Sequence, residues 1–203
     1  KTDGSLWGMG ENYPGELGLG LSGPRDGNPF PPTYFSSGVD RDVPTQIVGS
    51  NVASAFAADG NSYFIKTDGS LWGMGGNYWG QLGNGKSGYR SNYQNDNLYS
   101  GEHESTPIQI VASGVTAVSS SGGSTCFIKS DGSLWALGMS YYGIFGEDYD
   151  SNKTTPTKIV ESGVRAVSVS SMHTLFVKTD GSLWGMGDNS DGQLGNGTQV
   201  DPD

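Results

Sequence analysis

Tyr63-Phe64-Ile65-Lys66-Thr67-Asp68-Gly69-Ser70-Leu71-Trp72 places an Asp-Gly turn between two short apolar runs. Asp-Gly in that setting is among the strongest hairpin signals, because glycine accepts the positive φ the turn requires. The string Asp-Gly-Ser-Leu-Trp occurs four times, starting at Asp3, Asp68, Asp131 and Asp180. Its tryptophans, Trp7, Trp72, Trp135 and Trp184, stand 65, 63 and 49 residues apart. A second marker, Pro followed three residues later by Ile-Val, stands at Pro44, Pro107 and Pro156 and repeats the intervals 63 and 49. Two markers in one register define a repeat of about 50 residues. The extra length of two repeats falls in one connection, after Leu17-Gly18 or Leu82-Gly83 and before the Pro, giving insertions at about 19–43 and 84–106.

Each repeat reads as four short strands. In the third repeat Ile108 to Val111 and Val115 to Ser119 lie upstream of the hairpin, separated by Ala112-Ser113-Gly114. No window sustains a 3.6-residue period, and glycine interrupts every candidate helix. The chain is expected to be all-β. Four antiparallel strands repeated at this interval describe a β-propeller blade. Grouped in sequence order, the blades are 44–75, 107–138 and 156–187: three complete blades plus a stray strand at Leu6 to Gly10. Closed propellers need about four to eight blades. The reading is therefore a segment of a larger propeller, either an excerpt of a longer polypeptide or one unit of an assembly that completes the ring.

Composition narrows the function classes. The 203 residues hold 34 Gly, 33% hydrophobic residues and only 16% charged ones, with a net charge of −10. A chain with 11 basic residues against 21 acidic ones has little with which to neutralise phosphates, so nucleic acid is not expected as a partner. No apolar run approaches the ~20 residues of a membrane helix, and no signal peptide is visible in this segment. The single cysteine, Cys126, cannot form an internal disulfide and reads as a small hydrophobe on a strand.

The segment Gly187-Asp188-Asn189-Ser190-Asp191-Gly192-Gln193-Leu194-Gly195-Asn196-Gly197, following Asp180 to Trp184, resembles the repeat of the regulator of chromosome condensation family. Gly75 to Gly85 follows the same pattern, and Gly10 to Gly20 follows it less closely. The third repeat departs from it, with Ser140, Ile144 and Phe145 in place of Asn, Gln and Leu. The resemblance covers the chain outside the two insertions and implies a ring of about seven blades. Eukaryotic members of that family are nucleotide-exchange factors for a small GTPase and dock on chromatin. The acidic balance and Gly-rich repeats are more similar to bacterial secreted or cell-surface members, one of which inhibits β-lactamases, and an extracellular or surface location is expected. A plant ultraviolet photoreceptor of similar fold uses clustered tryptophans, but its Gly-Trp-Arg-His-Thr motif is absent here.

No catalytic constellation emerges. Asp3, Asp68, Asp131 and Asp180 sit in hairpin turns, where Asp bonds backbone, and no second carboxylate accompanies them. Trp7, Trp72, Trp135 and Trp184 read as packing residues between blades. Asp188 to Gly192 has the wrong ligand spacing for a calcium loop, and His173 aligns with Asn61 and Ser124 at a blade position where a bond to backbone is expected. The chain is read as a non-enzyme, with no catalytic residue, metal or cofactor. The informative residues are aromatic: Tyr78 and Trp79, Tyr141 and Tyr142, and Tyr89, Tyr93 and Tyr99 of the second insertion. Tyr among Ser, Gly and Asn is the composition of adaptable recognition loops, and Trp79 aligns with Pro14, Tyr142 and Asp191, so the scaffold does not demand an aromatic there. These loops are assigned to the connection between the last strand of one blade and the first of the next, hence to one face. The functional expectation is a module that binds a protein partner through that face. Two alternatives stand beside it: a carbohydrate-binding propeller lectin, with the same rings stacking on sugars, and a structural subunit whose self-assembly completes a ring.

Overall fold

The computed structural model describes residues 1–12, 14–21, 40–88, 103–147 and 152–199. These form the strands β1 (Leu6–Gly10), β2 (Arg41–Val48), β3 (Val52–Ala58), β4 (Asn61–Lys66), β5 (Leu71–Gly75), β6 (Glu104–Val111) and β7 (Val115–Ser121). They continue with β8 (Ser124–Lys129), β9 (Leu134–Gly138), β10 (Lys153–Val160), β11 (Val164–Val169), β12 (His173–Lys178) and β13 (Leu183–Gly187), with one 3-10 turn at Tyr141–Gly143. The strands make four antiparallel sheets in sequential order: β1-β2, β3-β4-β5-β6, β7-β8-β9-β10 and β11-β12-β13. The fold is all-β and built of propeller blades.

The blade boundaries differ from the sequence grouping by one strand. The Pro-containing strand closes the blade before it instead of opening the one after: β6 pairs with β5, and β10 with β9. The complete blades are thus 52–111 and 115–160, not 44–75, 107–138 and 156–187, and the first and last sheets hold two and three strands among the described residues. The long connections run between the third and fourth strands of one sheet, not between blades. The repeat interval carries no information on phase, and the edge of β5 is claimed by the strand that returns from the long connection. Pro107 and Pro156 suit that outer position, since a residue without an N–H is tolerated on an edge strand.

The repeated pentapeptide builds the same unit each time. In the second repeat Asp68 Oδ1 accepts from Ser70 N at 2.8 Å and from Ser70 Oγ at 2.6 Å, and Ser70 Oγ accepts from Trp72 Nε1 at 2.9 Å. The third repeat does likewise, with Trp135 Nε1 to Ser133 Oγ at 2.8 Å. The glycine has a second task, close approach to the next sheet. Gly69 and Gly132 have φ of 78° and 76°, and a Cβ there would stand 2.8 and 2.7 Å from the backbone N of Gly114 and Gly163. Their carbonyls accept from Val115 N and Val164 N at 2.9 Å, tying each hairpin to the sheet that follows.

Sheets pack face to face through two cores. Tyr63, Ile65, Leu71 and Leu82 meet Val115, Val118, Phe127 and Leu137. On the far side of the third sheet, Cys126, Ile128, Leu134 and Phe145 meet Val164, Val169 and Phe176. Full burial of a side chain such as Phe127 contributes about 1.5–3 kcal/mol. The repeated Trp rings are not solely packing between blades: Trp72, Trp135 and Trp184 stack on Phe64, Phe127 and Phe176 of the adjacent strand in their own sheet, at 6.1, 6.0 and 6.2 Å. Lys66, Lys129 and Lys178 place their Nζ over the same rings at 4.2, 4.7 and 4.0 Å. His173 makes no bond to backbone from its ring, unlike Asn61, which donates to Gly76 O, and Ser124, which donates to Met139 O at 2.8 Å.

Candidate functional site

The connection after the third strand is organised by one buried asparagine. Asn77 Oδ1 accepts from Leu82 N at 2.9 Å, while its Nδ2 donates to Asn84 Oδ1 and Lys86 O at 2.9 and 3.1 Å. Asn189 repeats the pattern toward Leu194 N, Asn196 Oδ1 and Thr198 O. A second element is the Gln side chain: Gln81 Oε1 accepts from Trp79 N at 2.9 Å and its Nε2 donates to Asn61 Oδ1 at 3.2 Å.

The third repeat lacks both devices, and its loop folds differently. Ser140 is too short to span the loop as Asn77 does, and Ile144 turns inward as a fully buried core residue. The 3-10 turn Tyr141–Gly143 replaces the usual loop, with Tyr142 at φ 60° and ψ 22°. That is left-handed backbone, which costs a bulky residue about 1–2 kcal/mol. Strain of this kind concentrates at functional sites. The turn leaves Tyr141 and Tyr142 38% and 40% exposed.

Three of the seven predicted site residues come together, and a fourth stands beside them in the chain. Tyr78 and Trp79 meet edge to face at 4.6 Å between centroids and 87°, and Trp79 meets Tyr141 in the same manner at 5.5 Å and 85°. The cluster bridges the loops of the second and third sheets, and Tyr142 adjoins it in sequence. Tyr89, Tyr93 and Tyr99 lie outside the described residues, as does most of the first insertion. One contributor was missed by sequence reasoning: Gly123, in the turn between β7 and β8. A Cβ at Gly123 would collide with Trp79 Cδ1, so its absence lets the indole lie on the turn of the next sheet. The signal was the Gly122-Gly123 doublet where the other repeats have Asp59-Gly60 and Ser171-Met172.

The surroundings offer little for catalysis. Among the described residues no group of three His, Cys, Asp or Glu is placed to hold a metal ion. Burial pushes the Cys126 thiol up to about 12 and the Tyr63 hydroxyl to about 12, so both stay protonated. Tyr63 Oη instead donates to Gln81 O at 3.0 Å and lies 3.0 Å from Thr125 Oγ1, a bond between sheets that braces the loop beneath Trp79.

Two models of the Regulator of chromosome condensation (RCC1) repeat match the chain, over residues 68–128 and 164–193. Repeats of the regulator of chromosome condensation type are thus present in both stretches. Solved structures of the same fold include Prp20p from Saccharomyces cerevisiae, at 17% identity and a TM-score of 0.69, covering 98% of this chain and 44% of that one. Yeast RCC1 (Prp20) bound to Kap60 is similar at 16% identity and 0.68, covering 98% and 43%. Human WBSCR16 is similar at 18% identity and 0.65, covering 93% and 44%. The chain therefore spans less than half the length of these structures, and at such identity the likeness is one of fold. No curated protein matches the sequence.

Proposed function

We propose that the chain is a non-enzymatic interaction module that engages a protein partner through Tyr78, Trp79, Tyr141 and Tyr142. The observation that carries this reading is the edge-to-face series from Tyr78 through Trp79 to Tyr141, which ends in two half-exposed tyrosines on a strained turn. Tyr and Trp offer large, stiff contact area at low entropic cost and dominate the energetics of interfaces. The third repeat abandons the family's Asn and Gln at the place where these rings emerge, so the loop serves something other than the scaffold. Proteins of the same fold bind proteins: Prp20p is described with Gsp1p and histones, and yeast RCC1 with Kap60. Neither partner transfers to this chain at 16–17% identity.

The test is quantitative affinity capture from extracts of the source cell, comparing the unmodified chain with Tyr141→Ala/Tyr142→Ala. Proteins held by the first and lost by the second, at unchanged thermal stability, support the reading. Equal capture by both refutes it, and selective loss of glycans on an array would move the site to the lectin class.

A further inference from the structure

Antiparallel sheets place every connection at one of two ends. The hairpins β4–β5, β8–β9 and β12–β13 lie at one end, with the turns that lead from each sheet into the next. The turns β3–β4, β7–β8 and β11–β12 lie at the other, with the loops that carry Tyr78, Trp79, Tyr141 and Tyr142.

Charge is divided unequally between these ends. At the hairpin end the described residues hold five carboxylates, of Asp3, Asp68, Asp131, Glu161 and Asp180, beside six basic side chains, of Lys1, Lys66, Lys129, Lys158, Arg165 and Lys178. The four aspartates there are engaged by the serine of their own turn. Four of the lysines stand over the indoles of Trp7, Trp72, Trp135 and Trp184, at 3.5, 4.2, 4.7 and 4.0 Å. The chain thus balances this end with its own ions and covers its own rings with its own cations. At the aromatic end the described residues hold nine carboxylates against three basic side chains. The first sheet brings Glu11, Glu16, Asp40 and Asp42 with Arg41; the others bring Asp59, Glu104, Glu147, Asp188 and Asp191 with Lys86 and Lys153.

Three of these carboxylates belong to the segments that build the aromatic cluster. Asp59 Oδ2 accepts from Gly122 N at 3.4 Å, next to the Gly123 on which Trp79 lies. Glu104 Oε1 accepts from Asn84 Nδ2 at 2.9 Å, tying the fourth strand of its sheet to the loop of Tyr78 and Trp79. Glu147 follows Tyr141 and Tyr142 in their own loop and pairs with Lys153 at 2.5 Å. Two exposed phenol rings and a surplus of carboxylates therefore occupy the same end of the sheets, 38% and 40% exposure marking Tyr141 and Tyr142 as the accessible rings.

We propose that the partner engaged by these rings is a basic protein segment, its Arg or Lys side chains lying on the faces of Tyr141 and Tyr142 and its charge met by Asp59, Glu104 and the other carboxylates of that end. This inference rests on the reading of the cluster as a partner surface and adds the chemistry of the partner. An aromatic face carries the negative part of the ring quadrupole and attracts a cation. Arginine suits the site better than lysine, because a guanidinium stacked on a ring keeps its N–H fork for carboxylates in its own plane. Like-signed fields repel, so the same carboxylates turn away acidic segments and speed the encounter with basic ones. A neutral segment or a glycan leaves that charge uncompensated.

The experiment is fluorescence anisotropy of a labelled peptide of alternating arginine and glycine with the unmodified 203-residue chain, at about 0.15 M salt. The same peptide with citrulline for arginine keeps the size and plane of the side chain and removes its charge. The arginine peptide is expected to bind about tenfold tighter or more. Tyr141→Leu/Tyr142→Leu keeps apolar bulk without the ring faces and is expected to weaken binding about tenfold, while Tyr141→Phe/Tyr142→Phe retains it. Asp59→Asn keeps an acceptor for Gly122 N and is expected to weaken binding about threefold. Glu161→Gln removes the same charge from the opposite end and is expected to change nothing. Equal affinity for the arginine and citrulline peptides overturns the proposal, and that comparison needs no variant to fold. Full binding by the leucine pair overturns it as well. Equal losses in Asp59→Asn and Glu161→Gln reduce the effect to net charge and also overturn it. If the arginine peptide is not bound while capture from extracts still depends on Tyr141 and Tyr142, this inference alone falls. If neither depends on them, the reading of the cluster falls with it.

Discussion

At the scale of single residues, the serine of Asp-Gly-Ser-Leu-Trp does two jobs, donating to Asp and accepting from the indole. Ser133 is fully buried, whereas the bonds of Ser182 are exposed. Ser133→Ala is expected to destabilise by about 1–3 kcal/mol, the cost of leaving a shielded donor unpaired. Ser182→Ala is expected to stay within about 0.5 kcal/mol; chemical denaturation of both variants measures the difference. Glu16 gives the pH dependence. Burial, helped by the nearby Glu11 and Asp40 charges, raises its carboxyl from 4.5 to about 7. A carboxyl raised in the folded state is a group whose stabilising contribution is complete below 4.5 and is lost as pH rises through about 7. The thermal midpoint is therefore expected to fall across that interval, and Glu16→Gln is expected to flatten the fall. An unchanged slope in Glu16→Gln would assign the pH dependence elsewhere.

At the scale of elements, the loops after β5 and β9 show how the loss of two side-chain devices redirects a turn. With Asn77 the loop closes on its own side chain; with Ser140 it tightens into a 3-10 turn and pushes two tyrosines outward. The platform they form depends on the β7–β8 turn, because Trp79 rests on Gly123, whose φ is 86°. Gly123→Ala is expected to cost more than about 1 kcal/mol, since alanine is strained at positive φ and its methyl meets the indole. The same change is expected to weaken partner capture as Tyr141→Ala/Tyr142→Ala does, which calorimetry and capture run side by side will show. Little of this was open to sequence reading. Trp79 and Tyr141 were legible as unusual residues, each in its own repeat, but their contact joins positions 62 residues apart and needs two sheets stacked. The collision that only glycine avoids at position 123 has no sequence signature beyond a doublet.

At the scale of the whole molecule, successive sheets are tied through the hairpin glycines: the carbonyls of Gly4, Gly69 and Gly132 accept from Val52, Val115 and Val164 N at 2.9 Å. The net charge of −10 opposes this compaction by self-repulsion, which salt screens over a Debye length of about 10 Å at 0.1 M. The thermal midpoint is therefore expected to rise from low to moderate ionic strength. A midpoint that falls with added salt would assign the larger effect to favourable ion pairs.

The contiguous residues determined the strands, the hairpin turns and the repeat, because Asp-Gly geometry, side-chain alternation and the Asp–Ser–Trp bonds all act within a few positions. They also marked Trp79 as a residue that stands where the other repeats have Pro14, Tyr142 and Asp191. Tertiary structure alone decided where one blade ends and the next begins: β2 and β3 are neighbours in the chain but belong to different sheets. A strand edge is satisfied by whichever partner reaches it in register, and that partner is set by packing between segments far apart in sequence.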